Sequence, residues 1–117
     1  MARISTHVLD SARGTPAAGV TIELHHLTGG DRRLVASAVT NADGRTDAPL
    51  VSADHLEAGV YELTFDAGDY LRKAGHALTA PPFLDVIVIR FGVADGQPHY
   101  HVPLLLSPYG YTTYRGS

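Results

Sequence analysis

The sequence predicts an all-β fold, an antiparallel sandwich of seven or eight short strands. Three observations carry that expectation. Apolar residues recur mostly at every second position, between punctuating Gly, Pro, Asn and Asp residues. Only one segment has a convincing helical pattern. The length of 117 residues suits one hydrophobic core, so a single domain over 1–117 is expected.

The elements follow in order. Residues 4–9 form the first candidate strand, closed by Asp10, Gly14 and Pro16. Val20, Ile22 and Leu24 alternate with Thr21, Glu23 and His25, the signature of a half-buried strand. Gly29, Gly30 and Asp31 read as a hairpin turn into a strand over 34–40. Asn41, Ala42, Asp43 and Gly44 form a second turn, leading to a short strand around 45–50. Tyr61, Leu63 and Phe65 alternate with polar neighbours. Residues 69–75 are the helical segment, with Asp69 as its cap, Lys73 in its last turn and Gly75 at its end. Residues 83–93 are nearly continuously apolar and β-branched, which predicts a strand covered on both faces. Strands over 99–107 and 110–117 complete the chain.

Composition narrows the function. With 44% hydrophobic and 18% charged residues, the chain has ordinary globular content and is not disordered. A net charge of −3 and a pI near 6.1 give no electrostatic case for nucleic acid or an anionic membrane as partner. The absence of cysteine removes disulfides, thiolate nucleophiles and Cys-based zinc sites. No apolar run approaches the ~20 residues of a membrane span. The opening Met-Ala-Arg-Ile-Ser-Thr-His carries no apolar signal segment, so a cytoplasmic domain is expected.

Seven histidines are the first hint of chemistry. His99 and His101 share one strand face, opposite a plain core face of Tyr100, Val102, Leu104 and Leu106. Imidazoles trade protons near neutral pH, so the pair suits a base or an orienting group; half-exposed strand histidines without a role are the competing reading. A zinc site would need a third ligand, and no residue at a nearby spacing supplies one, so no metal is expected. His7 shares a face with Ser5 and Leu9, and by itself reads as structural as readily as catalytic. Arg45 follows the turn glycine Gly44; its planar fork suits a bidentate oxygen or urea-like group, although an arginine there usually projects into solvent. The closing segment Tyr111-Thr112-Thr113-Tyr114-Arg115-Gly116-Ser117 keeps strand-like residues almost to its last atom. That suggests an end held within the structure, against the ordinary case of a loose final strand.

Four segments together resemble the 5-hydroxyisourate hydrolases, the transthyretin-related enzymes of urate breakdown. They are Ser5-Thr6-His7-Val8-Leu9-Asp10, Asn41-Ala42-Asp43-Gly44-Arg45, the run from His99 to Pro108, and the closing Tyr114-Arg115-Gly116-Ser117. The last is the most specific, since in this family it separates the hydrolases from transthyretin, the hormone carrier of the same fold. The resemblance implies a transthyretin-like sandwich of two four-stranded sheets with one short helix. It also implies a homotetramer, a dimer of dimers with active sites at the interface. By the same resemblance His7, Arg45, His101 and Ser117 are catalytic, and Tyr114, Arg115 and Gly116 bind substrate. No role passes to His99. The implied reaction is metal- and cofactor-independent opening of 5-hydroxyisourate to 2-oxo-4-hydroxy-4-carboxy-5-ureidoimidazoline. The alternatives are a small-ligand carrier without catalysis, and a sandwich interaction module. A carrier has no need of a base, and the missing cysteines and signal segment speak against an extracellular module.

Overall fold

The computed structural model describes residues 2–117. In chain order its elements are β1 (Ala2–Asp10), β2 (Thr15–Pro16), β3 (Thr21–Thr28), β4 (Asp31–Val39), β5 (Val51–Ala53), β6 (Gly59–Asp66), α1 (Ala67–Lys73), β7 (Val86–Val93), β8 (His99–Ser107) and β9 (Gly110–Thr113). They form two sheets, one ordered β2-β1-β8-β9 with β5 also on β1, the other β4-β3-β6-β7. The expected two-layer sandwich is present, with two refinements. The first sheet has five strands, not four, because the free edge of β1 is shared: β5 pairs with Ala2 to Ile4 and β2 with Leu9 and Asp10. And β1 runs parallel to β8, because the entire second sheet lies between them in the chain and serves as their crossover.

Alternation puts Ile4, Val8, Tyr100, Val102, Leu104 and Leu106 of the first sheet against Ile22, Leu24, Leu63 and Phe65 of the second, all buried. Removing that apolar surface from water is the main stabilising term. The same alternation turns Ser5, His7 and His101 outward, where they are half-buried.

Three local expectations shift. Residues 45–50 do not form a strand: Arg45 makes a single bridge to His7, Pro49 has no N–H to donate, and regular pairing resumes only at β5. The helix begins two residues early, with Asp66 at its N-cap and Asp69 inside its first turn. There Asp69 pairs with Lys73 at 3.0 Å and Arg72 at 3.7 Å, where its charge also suits the helix dipole. The helix ends at Lys73, two residues before the expected Gly75, which closes the following turn with its N–H to the Arg72 carbonyl at 3.1 Å. The apolar run near residue 90 is covered on one face only: Ile87, Ile89 and Val93 point inward, while Val86 and Val88 of this edge strand are 57% and 47% exposed. No helix among the described residues is long and apolar enough to cross a membrane.

The far end of β1 is tied to the helix by a buried carboxylate. Asp10 is 0% exposed and accepts hydrogen bonds from Tyr70 Oη and His76 Nε2, each at 2.7 Å, and from the Arg13 N–H at 3.0 Å. Burial opposes its ionisation, but these donors outweigh it and hold the carboxyl below its usual range. A carboxyl with a lowered folded-state pKa stabilises the fold above its unfolded pKa of about 3.9 and loses that contribution as pH falls through the folded value. We therefore expect Asp10→Asn to lower unfolding free energy at pH 7 by about 2 kcal/mol, measured by urea denaturation. The gap to the parent protein should narrow only below about pH 4.

Candidate active site

The outward face of the β1–β8 ladder carries the candidate site. Parallel register sets Arg3 against His99, Ser5 against His101 and His7 against Pro103. Each two-residue step advances ~6.6 Å along the strands, so the Arg3–His99 and Ser5–His101 pairs lie side by side on this face. Over them opens a cleft of about 420 Å³. It brings together four of the expected residues, Arg45, His101, Gly116 and Ser117, and adds Arg3 and Ser5.

Arg45 reaches the cleft through its turn. The Asn41 side-chain oxygen accepts from the Asp43 and Arg45 N–H groups at 2.9 and 3.2 Å, and the Asn41 N–H donates to the Arg45 carbonyl at 2.7 Å. Gly44 has φ of +77°, and a Cβ there would collide with the Val8 carbonyl oxygen. Only glycine lets this turn lie flat on β1, where the Val8 N–H donates to the Gly44 carbonyl at 2.8 Å. His7 secures the same turn. Its Nε2 lies 2.9 Å from the Asp43 carbonyl, which only accepts, so Nε2 carries the proton in this contact. His7 thus sits beside Arg45 and bridges to it, without lining the cleft itself.

The closing segment arrives from the other side. Beyond β9 the chain keeps the register of the β8–β9 pairing, and the Gly116 N–H donates to the His101 carbonyl at 2.7 Å. The ladder is interrupted where Pro103 has no N–H to offer; the Thr113 hydroxyl satisfies the Pro103 carbonyl instead, at 2.8 Å. Gly116 packs so closely on the imidazole that a Cβ would lie 2.6 Å from His101 Cδ2. Arg115 anchors this segment away from the cleft: its guanidinium lies 4.2 Å from the Tyr100 ring centroid and donates to the His99 carbonyl at 2.9 Å. Tyr114 is 57% exposed and does not line the cleft in this protomer.

Electrostatics single out His101. Burial first, then the positive charge of Arg45, and then His7 and Arg3, lower its pKa from the ordinary 6.5. It is therefore neutral at physiological pH, with one ring nitrogen available as a base. Arg3 and Arg45 are exposed at the cleft, and neither has an ion-pair partner among the described residues. Asp47 also lines the cleft but is bonded to the Asn41 amide at 3.0 Å; two guanidiniums outside any ion pair beside a neutral imidazole make a site for oxygen atoms that carry or develop negative charge. No group of three or more metal-ligating side chains occurs among the described residues.

Sequence reasoning left two cleft residues without a role. Ser5 was legible as a face-mate of His7, but only the parallel pairing puts its hydroxyl 2.9 Å from His101 Nδ1. Arg3 is one more surface arginine until β1 is laid beside β8.

Comparison with known proteins shows what the whole chain is similar to. Residues 4–116 match the HIUase/Transthyretin family. The 5-hydroxyisourate hydrolase 2 of Rhizobium meliloti is 56% identical over 98% of this chain and 96% of its own. The structure of Klebsiella pneumoniae 5-hydroxyisourate hydrolase superposes with a TM-score of 0.82 at 39% identity, covering 100% of both chains. Sea bream transthyretin in complex with thyroxine superposes at 0.86 with 33% identity, covering 97% of this chain and 94% of its own.

Replacing Arg3 with Gln removes one of the charges that disfavour the imidazolium. In Arg3→Gln, the His101 titration midpoint followed by NMR should move upward, toward that of an ordinary histidine; an unchanged midpoint would remove Arg3 from the electrostatics of the cleft.

Proposed function

This chain belongs to the HIUase/Transthyretin family, and we propose that its cleft hydrolyses 5-hydroxyisourate with His101 as general base and Arg45 as oxyanion partner. The hydrolase activity rests on the full-length relatives of that name at above 50% identity. The observation that carries the residue assignment is the cleft that His101 shares with Arg3 and Arg45, neither of them in an ion pair among the described residues; burial and these charges disfavour the imidazolium.

The chemistry follows from that geometry. A water in the cleft attacks the carbonyl carbon of the six-membered ring as His101 accepts its proton. The carbonyl oxygen becomes an oxyanion beside Arg45, a charge-assisted hydrogen bond that strengthens as the charge develops. The ring C–N bond then breaks, and the departing nitrogen takes the proton back from the imidazolium. Carbon keeps both oxygens as a carboxyl group, whose remaining proton is lost to solvent to leave the carboxylate. The product is 2-oxo-4-hydroxy-4-carboxy-5-ureidoimidazoline, and atoms balance with one water consumed. His7 holds the Arg45 turn in place through Asp43. Ser117 offers a hydroxyl to the ring's polar edge, and Gly116 lets the closing segment sit against the imidazole. Arg115 fixes that segment, and the exposed Tyr114 is available to a neighbouring subunit. A small-ligand carrier is the other use of this fold, but a polar cleft with two free cations suits a polar, ring-opening substrate better than an apolar guest.

The assembly belongs to the same reading. The cleft is open on one protomer. The unpaired edges β7 and β9 present Val86, Val88, Tyr109, Tyr111 and Tyr114 to solvent. A homotetramer, a dimer of dimers acting on a small molecule in the cytoplasm, covers those edges and encloses the site. No cofactor enters the scheme.

Freshly generated 5-hydroxyisourate, followed by the decay of its ultraviolet absorbance, tests the assignment. His101→Ala should lose about 10²–10⁴-fold in kcat/KM, and Arg45→Gln about 10²-fold or more, with oligomeric state unchanged. Near-parental turnover in either variant removes that residue from the mechanism. The acid limb of kcat/KM should fall below the pKa of an ordinary histidine, since His101 must be neutral to act. Sedimentation at micromolar concentration should give a tetramer; a monomer would contradict the assembly.

A further inference from the structure

His101 has two ring nitrogens, and only one can be the base. Nδ1 lies 2.9 Å from Ser5 Oγ, across the parallel ladder. The Gly116 backbone packs on the Cδ2 edge of the ring, next to Nε2. Ser5 and His101 both line the cleft. The ring is thus held on one side by a hydroxyl and on the other by main chain, with no freedom to flip without breaking the Ser5 contact. In a neutral imidazole the nitrogen that keeps the proton is set by the hydrogen bond it makes, and the other is left with a lone pair.

We propose that Ser5 is a positioning residue, whose oxygen accepts the Nδ1–H of His101 and so leaves Nε2 unprotonated and able to take the proton of the attacking water. This rests on the base role assigned to His101 above and specifies it. A serine hydroxyl is suited to the task because it accepts through a lone pair while its own proton remains free for a second partner in the cleft. Free neutral histidine prefers the opposite tautomer, with the proton on Nε2, in which Nε2 is a donor and not a base. With Oγ as the acceptor, the Ser5 contact reverses the intrinsic preference at the one ring where the reaction needs it. As the imidazolium forms, the Nδ1–H···Oγ bond becomes charge-assisted and strengthens. When the proton passes on to the leaving nitrogen, the ring returns to the starting tautomer without rotating. Carboxylate or carbonyl orienting partners behave similarly toward histidine elsewhere; a hydroxyl does so without adding a negative charge, which would raise the pKa that Arg45 and Arg3 keep low.

The test compares Ser5→Ala, Ser5→Thr and His101→Ala in the intact assembly. Ring ¹⁵N shifts of His101 report the tautomer directly, a readout that a loss of packing alone would not move. In the parent protein and in Ser5→Thr the spectra should show Nδ1 protonated and Nε2 bare, with equal kcat. In Ser5→Ala the Nε2–H form should appear, and kcat should fall about tenfold or more with KM little changed. A Ser5→Ala enzyme that keeps the parental tautomer overturns the inference, whatever its rate. So does one that keeps the parental kcat while His101→Ala is inactive; that result leaves the base role standing. An active His101→Ala would instead bring down the base role itself, and Ser5 with it.

Discussion

The parallel pairing of β1 with β8 places the functional side chains, and it does so because both strands are locked by their buried faces. Ile4, Thr6 and Val8 on one strand and Tyr100, Val102 and Leu104 on the other must point into the core. With period two, the residues between them have no choice but to face out together. A slip of one residue would bury His101 and expose Leu104, at a cost in apolar burial and desolvated imidazole that no surface contact offsets. Hydrophobic burial on one side of the sheet is therefore what keeps Arg3, Ser5 and His7 in step with His99 and His101 on the other.

Charge then gives this face its chemistry. Most of the arginines in the protein are committed: Arg32 and Arg90 hold the buried Glu62, Arg33 meets Glu57, Arg72 meets Asp69 and Arg115 lies on Tyr100. Arg3 and Arg45 have no ion-pair partner among the described residues, and both line one cleft. An uncharged His101 adds nothing to their positive charge; burial first, and then the field of these arginines, disfavours its imidazolium. The arrangement is relieved when negative charge appears on a bound molecule, which is a description of transition-state complementarity in electrostatic terms.

Much of this was legible in the residues. Period-two alternation located β3, β6 and β8, and the Asn41–Gly44 turn announced the approach of Arg45, because those signals are local. The parallel β1–β8 pair was not legible, since no local pattern encodes which distant strand becomes a neighbour, and so Ser5 and Arg3 had no visible partner. Nor did seven histidines sort themselves. His26 is almost wholly buried and stacks on Tyr61 at 4.3 Å, and His76 clamps Asp10. Only the fold separates these structural rings from His101. The β7 run misled for a related reason: β-branched residues on both faces signal strand propensity, while coverage depends on what packs against them.

Pro103 has a consequence for how the molecule comes apart. By withholding an N–H midway along β8, it divides the last stretch of chain into a part zipped to the sheet and a part fastened mainly by Gly116 and Arg115. Such a stretch can peel away and reseat without disturbing the core, a small cooperative unit with its own opening equilibrium. The durability of the sandwich and the completeness of its reaction centre are then separate quantities, set by different bonds.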